Sequence, residues 1–418
     1  MTFAVGARQV RFMSLDIDFI RAQFPAFSEP SLQDQAFFEN AGGSYPCRFV
    51  TERLERFYRE RKVQPYWHFD ASRVGGEEMD EARTRLSAML GVDGDELSFG
   101  PSTTQNTYVL AQAFRQWLSP GDAIIVTNQD HEANSGPWRR LEQDGIDIRE
   151  WQIDPETGHL DPNALAPLLD GAKLLCFPHC SNVVGEINDV AGITEMAHHA
   201  GAVVCVDGVS YAPHGLPDVG ALGADIYLFS AYKTYGPHQG LMVVRRALAR
   251  TLPNQGHYFN AELLHKRFTP AGDDHAQVAA SAGMADYVDA LFNSLDLPHA
   301  DPRGRARTVH DAMRKRETRL MRPLLDYLSS RNSIRLIGPA RAEDRAPTVA
   351  LASDRTGDAL ATELATHGIN AGGDHFYAVR ALEALGLDPA HGVLRLSFTH
   401  YTSEGEIDRL ITALDHVL

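Results

Sequence analysis

The sequence contains few cysteines and no long apolar run. Four cysteines, Cys47, Cys176, Cys180 and Cys205, occur among 418 residues, and none forms a CxxC pair. This number is far below that of a secreted disulfide framework, so we expect free thiols and a reducing, cytoplasmic compartment. No apolar stretch approaches the roughly 18 residues that cross a bilayer. We therefore predict that no segment spans a membrane.

Basic residues are also fewer than acidic ones. The chain has 39 Lys and Arg residues against 55 Asp and Glu residues, which gives a net charge of -16. An acidic surface repels phosphate backbones and anionic lipid headgroups, so we expect neither nucleic-acid binding nor membrane binding. The 44% hydrophobic and 22% charged fractions are those of an ordinary folded protein. The length predicts roughly two or three domains.

Four familiar motifs of α/β enzymes are missing. The sequence has no G-x-G-x-x-G, G-x-x-x-x-G-K-[ST], G-x-S-x-G or H-E-x-x-H. Their absence disfavours dinucleotide enzymes, P-loop proteins, serine hydrolases and zinc proteases of those types. The 18 histidines are scattered, and the pair His198 and His199 lies in a helical pattern where packing is the simpler role. We predict no metal site.

Between about residues 95 and 245, short β-branched runs alternate with helical patterns. The runs lie at residues 96–99, 123–127, 146–149, 173–177, 202–206, 225–229 and 241–244. This alternation predicts an α/β fold with a mostly parallel seven-stranded sheet flanked by helices. After about residue 300, a long helical pattern and several short strands predict a smaller α+β domain at the C-terminus.

These patterns also suggest domain boundaries. We predict a large domain over residues 29–295 and a small domain over 296–418. An N-terminal segment, residues 1–28, is expected to pack on the small domain. Within it, residues 1–12 are expected to be disordered or a start-site extension, and a helix is predicted over residues 16–24.

Two polar residues mark the ends of neighbouring predicted strands. Asp207 follows the run at 202–206, and Lys233 follows the run at 225–229. One strand–helix–strand step would bring both to the same sheet edge, where such sheets bind ligands. A cofactor held as a Schiff base needs this pair, because the lysine bonds it and a carboxylate keeps its pyridine nitrogen protonated. Taken singly, Asp207 would also suit a loop cap and Lys233 an exposed surface position.

Three other strand ends carry matching groups. Thr103 and Thr104 open a helical pattern, where hydroxyls and free N–H groups can cradle a phosphate or simply cap the helix. His131 follows the next strand and offers a flat ring that can stack on a pyridine. Asn182 follows a further strand, where its amide can bind a ring hydroxyl or form a turn.

Together these residues resemble the pyridoxal-phosphate (PLP) enzymes of the class V aminotransferase family, and within it the cysteine-desulfurase-like branch. The motifs that carry the resemblance are Ser-Thr-Thr at 102–104, Asp-His-Glu-Ala-Asn at 130–134, Ser-Asn-Val-Val-Gly at 181–185, Val-Asp-Gly at 206–208, Phe-Ser-x-x-Lys-x-x-Gly-Pro at 229–237 and Arg-Leu-Ser at 395–397. Their order spans about residues 36–416. The resemblance implies the PLP-dependent transferase type I fold, pyridoxal 5'-phosphate as cofactor and a homodimer with active sites at the interface.

The resemblance also implies roles for single residues. Lys233 would carry the cofactor and act as the catalytic base, Asp207 would pair with the pyridine nitrogen, and His131 would stack on the ring. The ring hydroxyl would be held by Asn182, and Ser210 stands where relatives often have a cofactor-binding glutamine.

The remaining implied contacts concern the phosphate and the substrate. Thr103, Thr104 and Ser230 would bind the phosphate. Arg395 would grip the α-carboxylate of an amino-acid substrate with its planar fork, assisted by Asn40.

Departures from the family pattern bear on the reaction. Desulfurases attack the substrate sulfur with a cysteine on a loop of the C-terminal domain, but here no cysteine follows Cys205. That loop, residues 370–377, contains His375 and Tyr377 instead. Either could protonate a thiolate leaving group, although packing of an aromatic loop with a turn histidine would explain them equally well. Cys180 is an alternative nucleophile near Asn182.

Two other residues depart from the family pattern, and one aromatic stretch has two possible roles. Tyr232 stands where a histidine often precedes the lysine, and Asp273 stands where a phosphate-binding threonine is expected. Asp273 lies in residues 269–275, the segment that in relatives reaches the neighbouring subunit's site. The aromatic stretch at residues 65–73 would line the active-site mouth or pack in the core.

Three functions remain open from the sequence. The first is β-elimination that cleaves a C–S or C–Se bond of a small amino acid. The second is transfer of an amino group to a 2-oxo acid, and the third is a non-catalytic PLP-binding scaffold.

Overall fold

The computed structural model describes residues 15–418. Its strands are β1 (Ala36–Phe37), β2 (Leu97–Gly100), β3 (Ala123–Thr127), β4 (Asp147–Trp151), β5 (Ala172–Pro178), β6 (Val203–Asp207), β7 (Ile226–Ser230), β8 (Gly240–Val244), β9 (Ile334–Leu336), β10 (Thr348–Ser353), β11 (Ile369–Asn370), β12 (Gly372–Asp374) and β13 (Val393–Ser397).

The helices of the described residues are α1 (Ile17–Arg21), α2 (Arg48–Glu60), α3 (Asp70–Leu90), α4 (Thr103–Trp117), α5 (Glu132–Arg139), α6 (Pro162–Leu165), α7 (Val190–His199), α8 (Val219–Leu222), α9 (Arg246–Thr251), α10 (His275–Ala280), α11 (Ala282–Ser294), α12 (Pro302–Ser329), α13 (Gly357–Thr366), α14 (Val379–Ala384) and α15 (Glu404–Val417).

The large domain is built on a seven-stranded sheet with the order β2-β8-β7-β6-β5-β3-β4. Strands β3 to β7 pair in parallel, whereas β8 runs antiparallel to both of its neighbours, β7 and β2. All seven strand runs predicted from the sequence are confirmed, each within about two residues. The predicted fold class, a mostly parallel sheet with a separate small C-terminal domain, is confirmed.

The central strands are buried on both faces, which explains their continuous apolar sequences. Every residue of β3, β7 and β8 is buried. Alternate residues supply different cores: Ile124 and Val126 pack on one side of the sheet, and Ile125 packs on the other. The strands therefore cannot slip by one residue without changing both cores, and this fixes the positions of their polar ends.

The small domain contains an antiparallel sheet with the order β12-β13-β10-β9. Helices α12 and α15 supply part of its apolar core. The long helix predicted near residues 305–330 is α12, and the predicted last strand and helix are β13 and α15. This domain places Arg395, on β13, and the loop after β12 beside the large sheet.

The N-terminal segment contacts the small domain. Asp16 caps α1 through its Oδ1, which accepts hydrogen bonds from the N–H groups of Asp18 and Phe19. Arg21 donates to the carbonyl of Tyr401 and forms an ion pair with Glu406. Helix α1 is shorter than predicted. It is followed by a 3-10 turn that begins at a proline, which has no N–H to continue a helix.

Residues 36–40 also lie against the small domain, because β1 pairs in parallel with β11. The predicted domain boundaries remain predictions, and the prediction of disorder for residues 1–12 falls outside the described residues. No helix among residues 15–418 is long and apolar enough to cross a membrane. All four cysteines are buried free thiols.

Candidate active site

One cavity collects polar residues from the carboxyl ends of the parallel strands and from the start of α4. Its lining includes all eight predicted cofactor-binding residues: Thr103, Thr104, His131, Asn182, Asp207, Ser210, Ser230 and Lys233. The parallel sheet explains this convergence, because its strands all end at the same edge.

Lys233 lies in the 3-10 turn that directly follows β7, and it is buried. The pKa of its amine is lowered to about 8, mainly by burial and also by the positive charge of Arg395, whereas the charges of Asp207 and Glu39 oppose the shift. A lysine with this pKa is partly neutral near pH 7 to 8. It can therefore act as a nucleophile or as a base.

Asp207 is the last residue of β6, and its Oδ1 accepts a hydrogen bond from the N–H of Val209 at 2.8 Å. Burial raises the pKa of the carboxyl to about 6, although this hydrogen bond and the charge of Lys233 favour the ionised form. A buried carboxylate of this kind gains from a cationic partner. A protonated pyridine nitrogen would be such a partner.

His131 is the N-cap of α5. Its Nδ1 accepts a hydrogen bond from the N–H of Ala133 at 3.0 Å, so the proton of the neutral ring belongs on Nε2. The pKa of the imidazole is lowered to about 3, mainly by burial and also by the charges of Lys233 and Arg395. The ring is thus neutral and fixed in direction, which suits stacking against a flat cofactor.

The start of α4 forms a cradle for an anion. Thr103 opens the helix, and its Oγ1 lies 2.8 Å from Oγ of Ser230 at the end of β7. Gly240 of β8 leaves room for this approach, because a Cβ there would lie 2.5 Å from the backbone nitrogen of Thr103. Hydroxyls and first-turn N–H groups at a positive helix end fit a phosphate.

Asn182 has an incomplete set of hydrogen bonds. Its Nδ2 donates to the carbonyl of Phe376 at 2.8 Å, but its Oδ1 is buried without a partner. A buried amide oxygen without a partner is costly, so this side chain is suited to a further polar group in the cavity that it lines. The lysine, the carboxylate, the flat imidazole, the cradle and this amide together fit PLP.

Arg395 adds a buried guanidinium to this set. Its Nη2 donates to Oε1 of Glu39 at 2.5 Å, and its Nη1 donates to the carbonyl of Asn182 at 3.2 Å. The ring of Phe376 lies 3.7 Å from the guanidinium carbon. Burial lowers the pKa of Arg395, and Glu39 opposes this. Glu39 was not predicted from the sequence. The signal that could have marked it as a site residue is its charge, which lies within the apolar segment before Asn40.

Comparisons with known proteins agree with this geometry. The family described as aminotransferase class-V matches residues 36–267 and 306–410. The chain belongs to the class V aminotransferase family. It is 33% identical to aminotransferase-like protein FGM3 of Gibberella zeae over 97% of this chain and 99% of that protein. It is 29% identical to a cysteine desulfurase of Serratia proteamaculans over 97% and 99% of the two chains.

A solved structure supports the fold. The apo cysteine desulfurase of Thermococcus onnurineus NA1 matches with a TM-score of 0.83 and 21% identity, over 97% of this chain and 98% of that chain. Class V aminotransferases use pyridoxal 5'-phosphate, so the protein is a PLP-dependent enzyme. This conclusion disfavours the scaffold hypothesis.

In this class V enzyme, Asn40 is engaged with the protein itself. It lines a small cavity that also contains Ser210 and Lys233. Its Nδ2 donates to the carbonyl of Ser397 at 3.2 Å, and its Oδ1 accepts from the hydroxyl of Tyr401. These bonds join the segment after β1 to the end of β13 and to the residues that follow it, and the substrate contact of Asn40 remains a prediction.

His375 lies on a loop that is docked over the site. Phe376 and Tyr377 have left-handed φ values of 51° and 57°. Their carbonyls accept hydrogen bonds from Asn182 and from the N–H of Glu132, respectively. The Nδ1 of His375 accepts from the N–H of Tyr377 at 3.1 Å. His375 is not among the residues that line the cavity of Lys233, whereas the ring of Tyr377 lies 5.3 Å from that of His131.

Cys180 lines the cavity, but it is a poor candidate nucleophile. Burial raises the pKa of its thiol to about 12, although the charges of Arg314 and Arg345 oppose the shift. The nucleophilic form of cysteine is the thiolate, so this side chain stays inactive near neutral pH.

Two predicted peripheral segments lie outside this cavity. Asp273 lines a separate groove with Arg83 and Lys266, and burial raises the pKa of its carboxyl. Trp67 and Phe69 are 58% and 54% exposed, which contradicts the alternative of core packing.

Tyr232 stacks on His238 with ring centroids 4.6 Å apart. Its ring lies 5.9 Å from Nζ of Lys233. Within residues 15–418, no group of three or more His, Cys, Asp or Glu side chains is arranged to hold a metal ion.

Proposed function

We propose that this class V enzyme acts on a small α-amino acid and cleaves a C–S or C–Se bond by β-elimination, without a persulfide on its own cysteine. One observation carries the proposal. The cavity combines a buried lysine of pKa about 8 with a cysteine, Cys180, whose thiol stays protonated. The site thus supports proton removal but offers no thiolate to accept sulfur.

Substrate binding is assigned to Arg395. Its buried guanidinium is suited to a carboxylate, and small-domain strand β13 carries it toward the sheet edge that holds Lys233. The stacked ring of Phe376 and the bonds to Glu39 and Asn182 limit the orientations of the guanidinium. A substrate held by its α-carboxylate would have few orientations relative to Lys233.

Proton transfer is assigned to Lys233. When bound, PLP supplies an electron sink that stabilises negative charge at Cα of the substrate. Lys233 takes the Cα proton, and its pKa near 8 makes it an effective base close to neutral pH. Asp207 would support the electron sink by keeping a proton on the pyridine nitrogen. The neutral ring of His131 would stack on the cofactor and limit the access of water.

Departure of the sulfur requires a proton as well. We propose His375 as its donor, with Tyr377 as the alternative, because both lie on the docked loop near the cavity. For cysteine, one water molecule is consumed, and pyruvate, ammonia and sulfide form in equal amounts.

Amino-group transfer is the second candidate. The observation that favours it is the 33% identity to a protein named aminotransferase-like. Lys233 would again take the Cα proton, PLP would supply the site that holds the amino group between the two half-reactions, and a 2-oxo acid would then accept that group.

We also propose a cytoplasmic homodimer with the active sites at its interface. Exposed aromatic side chains support association, since Trp67, Tyr258 and Phe259 are all more than half exposed. Four buried free thiols suit a reducing compartment.

Product analysis tests the proposal. The PLP-loaded protein is incubated with cysteine, cysteine conjugates, selenocysteine and alanine, with and without a 2-oxo acid. Pyruvate and ammonia formed in equal amounts without a 2-oxo acid support elimination, and formation of alanine from cysteine would contradict it. A strict need for a 2-oxo acid would support the aminotransferase. Lys233→Ala should abolish turnover, whereas Lys173→Ala, at an exposed lysine of β5, should not.

A further inference from the structure

The guanidinium of Arg395 is already paired with a carboxylate of its own chain. Glu39, just after β1, accepts from Nη2 of Arg395 at 2.5 Å, although the two residues are 356 positions apart in the sequence. The guanidinium is almost fully buried, and 28% of the Glu39 side chain is exposed. Any substrate carboxylate that binds Arg395 must therefore do so beside a second negative charge.

The pair is incompletely bonded. Both Oε2 of Glu39 and Nε of Arg395 are buried without a hydrogen-bond partner. A carboxylate that only stabilised the fold would be expected to use both of its oxygens. The free donor and the free acceptor therefore leave part of this pair available for a bound molecule.

The backbone around Glu39 makes room for its carboxylate. A Cβ at Gly42 would lie 2.7 Å from Oε1, and a Cβ at Gly372 would lie 3.0 Å from Oε2. Gly372 pairs with Arg395 across β12 and β13, so a residue that leaves space for Glu39 also lies opposite Arg395. The fold thus leaves space for the carboxylate of Glu39 beside the guanidinium.

We propose that Glu39 is a positioning residue that controls how strongly Arg395 binds carboxylates. Its carboxylate fixes the guanidinium and compensates its charge in the free enzyme. An α-carboxylate must share the guanidinium with Glu39, so simple monocarboxylates bind weakly. An amino acid gains the additional contacts that the rest of the site provides. This inference rests on the assignment of the substrate carboxylate to Arg395.

Glu39 also faces the other charges of the site. Its negative charge raises the pKa of Lys233, and Arg395 lowers it. Removal of Glu39 is therefore expected to affect both residues: carboxylates should bind more tightly, and the amine of Lys233 should lose its proton at a lower pH.

Glu39→Gln tests the proposal, because glutamine keeps the size of the side chain and can still accept from Nη2 of Arg395. Binding of propionate to the PLP-loaded protein is measured by calorimetry, which does not depend on turnover. We expect propionate to bind roughly tenfold more tightly, and the pH at which the absorption band of the lysine-bound cofactor changes should fall. Unchanged or weaker propionate binding in a folded variant would overturn the proposal.

Two further variants separate the possible failures. Arg395→Ala should abolish propionate binding; if it does not, the assignment of the carboxylate to Arg395 is itself wrong. If it does, but Glu39→Gln has no effect, only the role of Glu39 is wrong. Glu343→Gln is the matched control, because Glu343 pairs with Arg322 at 2.6 Å on the exposed surface and should leave propionate binding unchanged.

Discussion

The Oγ1 of Thr103 lies 2.8 Å from Oγ of Ser230, which joins the first residue of α4 to the last residue of β7. Both hydroxyls line the cavity of Lys233. We expect Thr103→Val and Ser230→Ala each to weaken PLP binding by roughly ten- to a hundredfold, because a hydrogen bond to a charged group contributes roughly 1.5 to 3 kcal/mol. Titration of the apoprotein with PLP measures this. Thr251→Val, at an exposed threonine of α9, should have no effect.

Gly240 of β8 leaves the space that the start of α4 occupies in the anion cradle. An alanine Cβ would lie 2.4 Å from the carbonyl carbon of Ser102, and backbone atoms cannot move aside cheaply. We expect Gly240→Ala to lower the free energy of unfolding by about 1 to 3 kcal/mol and to weaken PLP binding. Gly405→Ala is the control, since nothing lies within 4 Å of a Cβ there. Equal effects of the two substitutions would contradict this account of the cradle.

The carboxyl of Asp207 should make the apoprotein less stable at neutral pH. Burial raises its pKa from 3.8 to about 6, so the folded state holds the proton more tightly than the unfolded state does. Stability therefore falls as the pH rises from about 4 to 6 and stays lower above that range.

Asp207→Asn removes this titration. The variant should be more stable than the wild type at pH 7 by up to about 3 kcal/mol, and the difference should vanish below about pH 4. Urea unfolding of the apoproteins at several pH values measures this. A difference that does not depend on pH would contradict the assigned cause. PLP binding should be weakened in the same variant.

Lys233 should show the opposite dependence. Its pKa is lowered from 10.5 to about 8, mainly by burial, so the unfolded state binds the proton more tightly. The apoprotein should gain stability from this group as the pH rises from about 8 to 10.5. Lys233→Met should be more stable than the wild type below pH 8 and lose this advantage above pH 10.5 in unfolding measurements. Lys173→Met, at an exposed position, should follow the wild type.

Cys180→Ser should leave turnover within about twofold of the wild type. The thiol has a pKa of about 12 because it is buried, so it does not supply a thiolate at neutral pH. Turnover of each amino acid in the substrate panel measures this. A loss of sulfur release in a folded variant would show that Cys180 is the nucleophile.

Much of the site was predictable because polar residues follow apolar runs. Asp207 and Lys233 come after two such runs, and parallel strands end at one edge of a sheet, so the sequence alone predicts that the two side chains meet. The direction of β8 was not predictable in this way, since an apolar run from Gly240 to Val244 reads the same in either orientation.

The pairing of Glu39 with Arg395 was beyond the sequence for a different reason. It depends on β1 joining β11 and on Glu39 pairing with Ser397 at the end of β13, and no local pattern encodes a contact between such distant segments. Asn40 was named from the same segment, yet its amide is bonded to Ser397 and Tyr401 because the chain turns there. His375 lies close to the site but is bonded within its own loop.

His131 is suited to two roles at once, capping α5 and presenting a flat ring, and this limits the side chains that could replace it. The Nδ1 that caps the start of α5 must stay unprotonated, and the face of the same ring is what a flat cofactor would meet. A tryptophan or phenylalanine would keep a flat face but leave the helix end open, and a serine or aspartate would close the helix but lose the face. Of these side chains, only histidine offers both a capping nitrogen and a flat ring, so each of the other substitutions at this position is expected to lose one of the two.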